Sequence, residues 1–445
     1  MTASARMPVA ARPADPPAEN PGPAAPERVD RDLRGAVDRV LRDVFRDRRA
    51  EALVIDPVFD EHIARRLADF ALGGGARRRS ALLWWGWRAC RGQDGTESAG
   101  AVLDVAAALE LVQCCALVQD DVMDGSGLRR GRPAVHAELA ARHATGPRAG
   151  GAAPFGFSAA VLVGDLALAW ADDLVADAGL TPAARDRLRP VWRAMRTEMA
   201  AGQYLDLHAQ VTASRSPGRA MRTAFLKSAR YSVESPLGLG AALAGADPAV
   251  RHALRDAGRC AGLAFQLRDD LLGVFGDPLL TGKPTGDDIR EGKVTYLVAI
   301  AVRRARRDPA ALRVLEDALG DPALSPAALD RVREVLVATG AREYVEARAD
   351  RLADACRVRL LGASLEPAAR DRLLAVLAAA TGRGTGQPEA GSGHPETGDR
   401  QLDARPERPD ADADHPDARG DRPNAAADHP DARTEHPGGR EGNRP

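Results

Sequence analysis

Lysine is almost absent from this chain of 445 residues: of 62 basic residues only Lys227, Lys283 and Lys293 are lysine, and the rest are arginine. An ammonium and a guanidinium differ in shape and hydration, so in so arginine-biased a chain each lysine marks a place that needs a compact point charge. Asparagine occurs only at 20, 424 and 443, near the two ends, which excludes an asparagine metal ligand from the body of the chain. Aromatic residues are 4% against 44% for all hydrophobic residues, much of that alanine, a balance that favours helices over sheets. The five cysteines, Cys90, Cys114, Cys115, Cys260 and Cys356, have neither metal-ligand spacing nor a disulfide framework. They are expected as small buried hydrophobes in a reducing cytoplasm. No run of 18 apolar residues exists, Asp165 interrupting the best stretch (158–171), and the N-terminus has no apolar signal core, so neither a transmembrane span nor a secretory signal is expected. With 62 basic against 63 acidic residues, no net field selects nucleic acid.

What is there is helical. The stretch 104–119, DVAAALELVQCCALVQ, is apolar around most of its circumference, as a buried helix is. Thr181-Pro182, Asp247-Pro248, Asp308-Pro309 and Ser325-Pro326 each pair a capping side chain with proline in the first turn and mark helix starts. Sustained period-two alternation is absent, and 143–157 reads as a loop. Residues 1–30 are Pro/Ala-rich, and 383–445 carry the polar repeat ADHPDAR at 413–419 and 427–433. Neither end can bury enough apolar surface to offset chain entropy, so both are expected to be disordered. Between them, 31–382 is expected to form one large all-α domain.

Two acidic clusters stand out. In QDDVMDGSGLRRG (119–131), Asp120 and Asp124 are four apart and share a helix face, where like charges repel unless a cation lies between them. Carboxylates without His or Cys favour Mg²⁺ over zinc, and the arginine forks of Arg129 and Arg130 suit phosphate oxygens. The second cluster, Asp269 and Asp270, lies in FQLRDDLLGVFGD (265–277) and is followed by Lys283 and Lys293; Lys227 lies in FLKSARYS (225–232). Acidic residues on two distant apolar helices, with the scarce lysines close by in sequence, suggest one metal-bearing cavity that neutralises a leaving diphosphate.

Together with GDLAL (164–168), GQYLDL (202–207) and TGKPTGDDIREGK (281–293), these stretches make the chain resemble the trans-isoprenyl diphosphate synthases, the polyprenyl synthetase family. WWGWRA (84–89) is similar to actinobacterial geranylgeranyl diphosphate synthases in particular. The resemblance implies an all-helical isoprenoid synthase fold around a central cavity, a homodimer, and Mg²⁺-dependent joining of isopentenyl diphosphate to an allylic diphosphate. It implies three Mg²⁺ ions, held by Asp120 and Asp124 from one wall and Asp269 from the other, with Asp121 and Asp270 as further ligands or supports. It assigns Arg129, Lys227, Lys283 and Lys293 to the allylic diphosphate, Gln266 and Ser228 to the reacting centre, and Arg130, Gln113 and Arg79 to isopentenyl diphosphate.

The chain departs from the family pattern in places. The segment GGKRxRP reads GGARRRS here (74–80), so Ala76 replaces a lysine and Ser80 a proline, with Arg77 or Arg78 as possible substitutes for the lost ammonium. Gly273 stands where many members carry a third aspartate, and Ser228 where threonine is common. Upstream of Asp120, the small residues Cys115 and Ala116, with Val112 and Leu109 below, leave room for a growing chain. The product expected is therefore C20 or longer, geranylgeranyl diphosphate foremost. Two other readings stay open: a non-catalytic or regulatory subunit of a prenyl synthase, which Ala76 favours, and a class I terpene cyclase, which the missing asparagine opposes.

Overall fold

The structure, a computed structural model, describes residues 25–90, 97–129, 131–145, 149–277 and 285–381. These all lie in a first compact unit spanning 1–391, and a second unit, 392–445, lies wholly outside the described residues. Residues 1–24 and 382–445, most of the stretches expected to be disordered, are likewise outside them.

The chain is helical nearly throughout. It runs α1 (Pro26–Arg31), α2 (Leu33–Ile55), α3 (Pro57–Phe59), a π-helix (Asp60–Ala64), α4 (Arg65–Leu72), α5 (Arg78–Ala89) and α6 (Ala99–Asp124). A two-residue hairpin follows, β1 (Leu128–Arg129) and β2 (Arg132–Pro133), then α7 (Val135–Ala141), a 3₁₀ turn (Ala149–Gly151), α8 (Ala152–Asp177), α9 (Pro182–Val211) and α10 (Pro217–Ala224). A second π-helix (Phe225–Glu234) leads into α11 (Ser235–Leu243) and α12 (Pro248–Phe275). The chain ends in α13 (Asp287–Arg290), α14 (Tyr296–Arg304), a 3₁₀ turn (Ala305–Arg307), α15 (Pro309–Ala318), α16 (Pro326–Ala338), α17 (Ala341–Leu361) and α18 (Pro367–Ala380).

Helix starts fall where capping chemistry puts them. Thr181, Asp308 and Ser325 accept hydrogen bonds from first-turn amides of α9, α15 and α16, while Asp247 precedes Pro248 of α12 without a side-chain cap bond. Two boundaries differ from the sequence expectation. Residues 26–30, expected within a disordered end, are already helical: Val29 is buried, and Asp30 takes hydrogen bonds from Trp84 and Arg88 of α5, anchors that propensity alone does not reveal. Residues 152–157, expected as loop, are already the first turns of α8, because Phe157 stacks on His136 and Phe155 meets His143 edge to face, and tertiary contact overrides the glycines.

At the centre lies α6, packed on α8, α5 and α2. Every residue from Val105 to Val112 is buried, as the all-round apolar pattern requires. A second apolar cluster joins the C-terminal half of α12 to α14, α16 and α17. All five cysteines are buried, and none forms a disulfide among the described residues. By length and composition α6 and α8 could each cross a membrane, although no uninterrupted apolar run of 18 exists, since hydropathy averages over the isolated polar residues. Their surroundings differ: 78% of the apolar window of α6 is buried in the protein against 39% of that of α8, so α8 shows an apolar face. Phe155, Phe157, Val161 and Leu162 are exposed there.

Candidate active site

The first acidic cluster closes α6. Asp120, Asp121 and Asp124 occupy its last two turns, and Gly125, at φ 65°, ends the helix in the left-handed conformation that glycine adopts without penalty. Half-buried residues run up this face as Gln113, Ala116, Asp120 and Asp124, the spacing of one helical stripe. Cys115, Val112 and Leu109 are fully buried beside it. Burial first, then Asp165 on α8, pushes the Cys115 thiol up to about 12, so this side chain behaves as a small hydrophobe.

Two lysines reach this end of α6 from distant segments. Lys227 Nζ, 107 residues away, donates to Asp120 Oδ1 at 2.9 Å and to Asp206 Oδ2 of α9 at 2.7 Å. Lys293 Nζ, 169 residues away, donates to Asp124 Oδ2 at 2.7 Å and also meets Glu291 Oε2 at 2.6 Å. Arg129, on β1, bonds Asp121 Oδ1 through Nε at 2.8 Å and through its Nη2, which also lies 3.6 Å from Asp120 Oδ2. Lys283 and Arg130 fall outside the described residues.

The position of Lys227 follows from backbone geometry. It sits in the π-helix 225–234, whose wide turn re-aims side chains. Glycines on either side let the neighbouring helices close on this turn. A Cβ on Gly202 of α9 would collide with the Lys227 amide, and one on Gly262 of α12 would collide with the Ala229 carbonyl. Ser228, the next residue, is half-buried.

The second acidic cluster lies on α12 and is built differently. Asp269 is exposed, whereas Asp270 is buried and takes a hydrogen bond from Gln266 Nε2 at 2.8 Å. Burial pushes Asp270 up to about 8, the Gln266 bond opposing and the neighbouring Asp288 and Asp269 adding to the rise. Asp288 of α13 had no assigned role in the sequence reading. Its Oδ2 lies 3.4 Å from where a Cβ on Gly273 would stand, so a carboxylate from another segment faces the position that lacks the third aspartate.

In the first cluster the balance differs between neighbouring carboxylates. Burial alone would raise Asp120, but Lys227, with help from Lys293 and Arg129, more than offsets this and its pKa ends low. Asp121 ends raised, burial outweighing Arg129. Burial lowers Lys227 and Lys293, but their carboxylate partners reverse this and both end above the usual lysine range.

Two buried oxygens, Asp121 Oδ2 and Asp124 Oδ1, have no hydrogen-bond partner among the described residues. Leaving such acceptors unsatisfied costs about 1–3 kcal/mol each, more when they are charged. Among the described residues no three His, Cys, Asp or Glu side chains converge as a ready-made metal cluster. The donors at this end of α6 are all carboxylate oxygens, and orphaned carboxylate oxygens fit a hard divalent cation such as Mg²⁺.

Above this lies a third group. Arg79 Nη2 donates to Ser232 Oγ at 2.7 Å, and its guanidinium stacks 4.6 Å from the ring centroid of Tyr231. Tyr231 in turn donates to Gln113 Oε1 at 3.0 Å. Arg77 is not available to replace the lysine missing at Ala76. It is buried, bonding Asp38 Oδ1 at 2.8 Å, Glu110 Oε2 at 3.3 Å and the Ala71 carbonyl at 2.7 Å. Arg78 and Ala76 are exposed. Tyr231, Asp206, Glu291 and Glu110 had no role assigned from sequence, although the first two lie within the quoted motifs FLKSARYS and GQYLDL.

A family model for polyprenyl synthetases matches residues 60–336. The geranylgeranyl pyrophosphate synthase of Corynebacterium glutamicum, solved in complex with isoprenyl diphosphate and magnesium, is 40% identical with a TM-score of 0.74, over 78% of this chain and 97% of that one. The geranylfarnesyl diphosphate synthase of Aeropyrum pernix is 32% identical over 57% of this chain and 74% of its own length. The (2E,6E)-farnesyl diphosphate synthase of Mycobacterium tuberculosis is 35% identical over 57% of this chain and 67% of its own. These relatives are synthases of prenyl diphosphates that differ in named product, and the matched residues contain both acidic clusters and the two lysines that meet the first. The chain therefore belongs to the polyprenyl synthetase family and is a prenyltransferase.

Proposed function

We propose that this prenyltransferase joins isopentenyl diphosphate to an allylic diphosphate with Mg²⁺, and that its main product is geranylgeranyl diphosphate. The observation that carries the reading is the convergence of Lys227 and Lys293 on Asp120 and Asp124: opposite charges from distant segments meet where a diphosphate and its cations would be held. Two of the chain's three lysines supply this convergence.

Asp120, Asp121, Asp124, Asp269 and Asp270 would hold the Mg²⁺ ions, three by family resemblance. Bound there, the metal supplies charge neutralisation to the departing diphosphate. Lys227, Lys293, Arg129 and Lys283 bind the same diphosphate, and Lys227 and Lys293 exchange a carboxylate partner for a phosphate oxygen as it enters. Ionisation of the allylic C–O bond leaves a cation beside Gln266 and Ser228, away from bulk water. Arg79, with Arg130 and Gln113, orients isopentenyl diphosphate so that its double bond attacks that cation. Loss of a proton, taken up by the released diphosphate, completes the new double bond.

Product length follows from the stripe below Asp120. Ala116 lies on the same half-buried face as Asp120 and offers no obstruction, and Cys115, Val112 and Leu109 are small or aliphatic. The exposed apolar face of α8 supports a homodimer, because Phe155, Phe157, Val161 and Leu162 would otherwise stay in water. A second reading, a regulatory subunit, is favoured by one observation: Ala76 lacks the family ammonium and Arg77 is engaged elsewhere.

Incubating the purified chain with Mg²⁺, labelled isopentenyl diphosphate and dimethylallyl, geranyl or farnesyl diphosphate tests all of this. A C20 product from each starter is expected. Farnesyl diphosphate as the end product would sink the length argument. No turnover alone, with altered product length when mixed with an active synthase, would favour the regulatory subunit.

A further inference from the structure

The turn that carries Arg79 is held by a buried polar network whose parts lie on either side of it. Gly74 and Gly75, at φ 128° and 122°, and Arg77, at φ 46°, all lie in backbone regions that side chains disfavour. For glycine this is free, but a non-glycine residue such as Arg77 stays there at a cost of roughly 1–2 kcal/mol, so something must hold it. The Arg77 guanidinium is clamped by Asp38 of α2, Glu110 of α6 and the Ala71 carbonyl at the end of α4. Three residues on, the fully buried Ser80 hydroxyl lies 2.7 Å from the other Glu110 oxygen and 2.9 Å from the Ala106 carbonyl. Its single proton serves one acceptor at a time, and the carboxylate is the stronger.

Glu110 thus grips residues 77 and 80, and Arg79 lies between them. One turn along α6, Gln113 accepts from Tyr231, whose ring faces the Arg79 guanidinium. A single face of α6 therefore fixes Arg79 twice, through the backbone on either side of it and through the ring beneath it. The Arg79 Nε is buried and has no hydrogen-bond partner among the described residues, so a donor remains for a ligand.

We infer that Glu110 and Ser80 are positioning residues for isopentenyl diphosphate, acting through Arg79. The inference rests on the proposed reaction. It also gives a physical meaning to the departure at Ser80: where the family places a rigid proline, this chain fastens the first turn of α5 to a buried carboxylate. With Ala76 contributing no charge, the isopentenyl half depends more heavily on the aim of Arg79.

Ser80→Ala removes only a hydroxyl and is the variant to make, with Glu110→Gln as the second. Each is expected to raise KM for isopentenyl diphosphate by about tenfold, the scale of one misdirected charged hydrogen bond, with KM for the allylic diphosphate changed less than about twofold. The decisive comparison is a double-mutant cycle. In an Arg79→Ala background, adding Ser80→Ala should leave isopentenyl diphosphate binding, measured by direct titration, unchanged within about twofold, because the residue being aimed is gone. If Ser80→Ala costs the same in both backgrounds, or shifts both substrates equally, or lowers only the melting temperature, the hydroxyl is merely structural and the inference fails. Wild-type protein that neither binds nor consumes isopentenyl diphosphate would overturn the reaction itself, and the inference with it.

Discussion

The two acidic clusters use the same residue type on two helices and solve opposite problems. On α6 each carboxylate has a basic neighbour: Lys227 on Asp120, Arg129 on Asp121, Lys293 on Asp124. On α12, Asp270 is buried with an amide, Gln266, and like-charged neighbours, and burial pushes it up to about 8. On one wall basic side chains of the protein meet the carboxylates; on the other, burial favours the uncharged form of Asp270 in the absence of a cation. The lesson is that a pair of aspartates in sequence does not state its own charge, because the segments brought against it decide.

The largest effects should come from cutting each wall once. Asp120→Asn and Asp270→Asn are each expected to lower turnover by about 10²–10³, the cost of losing one group aimed at developing charge. Their stabilities should diverge. Asp120→Asn strips Lys227 of one of two carboxylates and should cost about 1–2 kcal/mol without Mg²⁺, whereas Asp270→Asn replaces a neutral group by a near isostere and should stay within about 0.5 kcal/mol. Melting curves at pH 7 in the absence of divalent cations decide this. Equal losses would erase the distinction between the walls.

The same contrast extends to the two diphosphates. On the proposed reading the allylic side would have the lysines, while the isopentenyl side would have Ala76, exposed at the edge of the glycine turn. Ala76→Lys is expected to lower KM for isopentenyl diphosphate by about tenfold, the gain of one charge-assisted hydrogen bond, and to leave the allylic KM alone. Steady-state titration of each substrate with the other saturating reads both. No change would mean that Arg78 or Arg79 already supplies the missing charge.

Much of this architecture was legible in the sequence. The helix starts at Pro182, Pro309 and Pro326 follow from local capping chemistry, and the burial of α6 from its apolar circumference. The clustered carboxylates and the lysines stand out because their residue types are costly or rare in such surroundings. What could not be read was pairing across long separations. Nothing local tells Lys227 to choose Asp120 and Asp206, or Arg77 to turn inward to Asp38 and Glu110 rather than substitute for the lost lysine. The entry into α8 was also hidden, since its glycines argue for a loop until His136 and His143 are placed against Phe157 and Phe155.

Below the charged end of α6 the question becomes one of space. Ala116→Phe puts an aromatic ring on the stripe that bears Asp120 and should shorten the product by one or more C5 units, with turnover of the short starter kept within about threefold. Cys115→Phe enlarges a fully buried residue instead and should add a stability loss of about 1–3 kcal/mol. Product analysis on extracted prenols separates the two. Unchanged length in Ala116→Phe would show that the growing chain takes another path.

The smallest effect belongs to a carboxylate of α6 outside the cluster, which serves as a control for both walls. Asp104 lies four turns before Asp120, partly buried, and burial alone pushes it up from 3.8 to about 6. It has neither the counter-charge of Asp120 nor the acidic neighbours of Asp270. A carboxyl whose folded pKa is raised holds its proton longer when folded, so its favourable contribution is complete below about pH 4 and is lost as the pH climbs to about 6. Discounted for partial exposure, the loss is about 1 kcal/mol. Asp104→Asn should therefore match the wild type at pH 4, exceed it by about that amount above pH 6, and leave kcat and both KM values unchanged. A variant that loses stability above pH 6 would show instead that the Asp104 carboxylate is ionised and paired like those of the first wall.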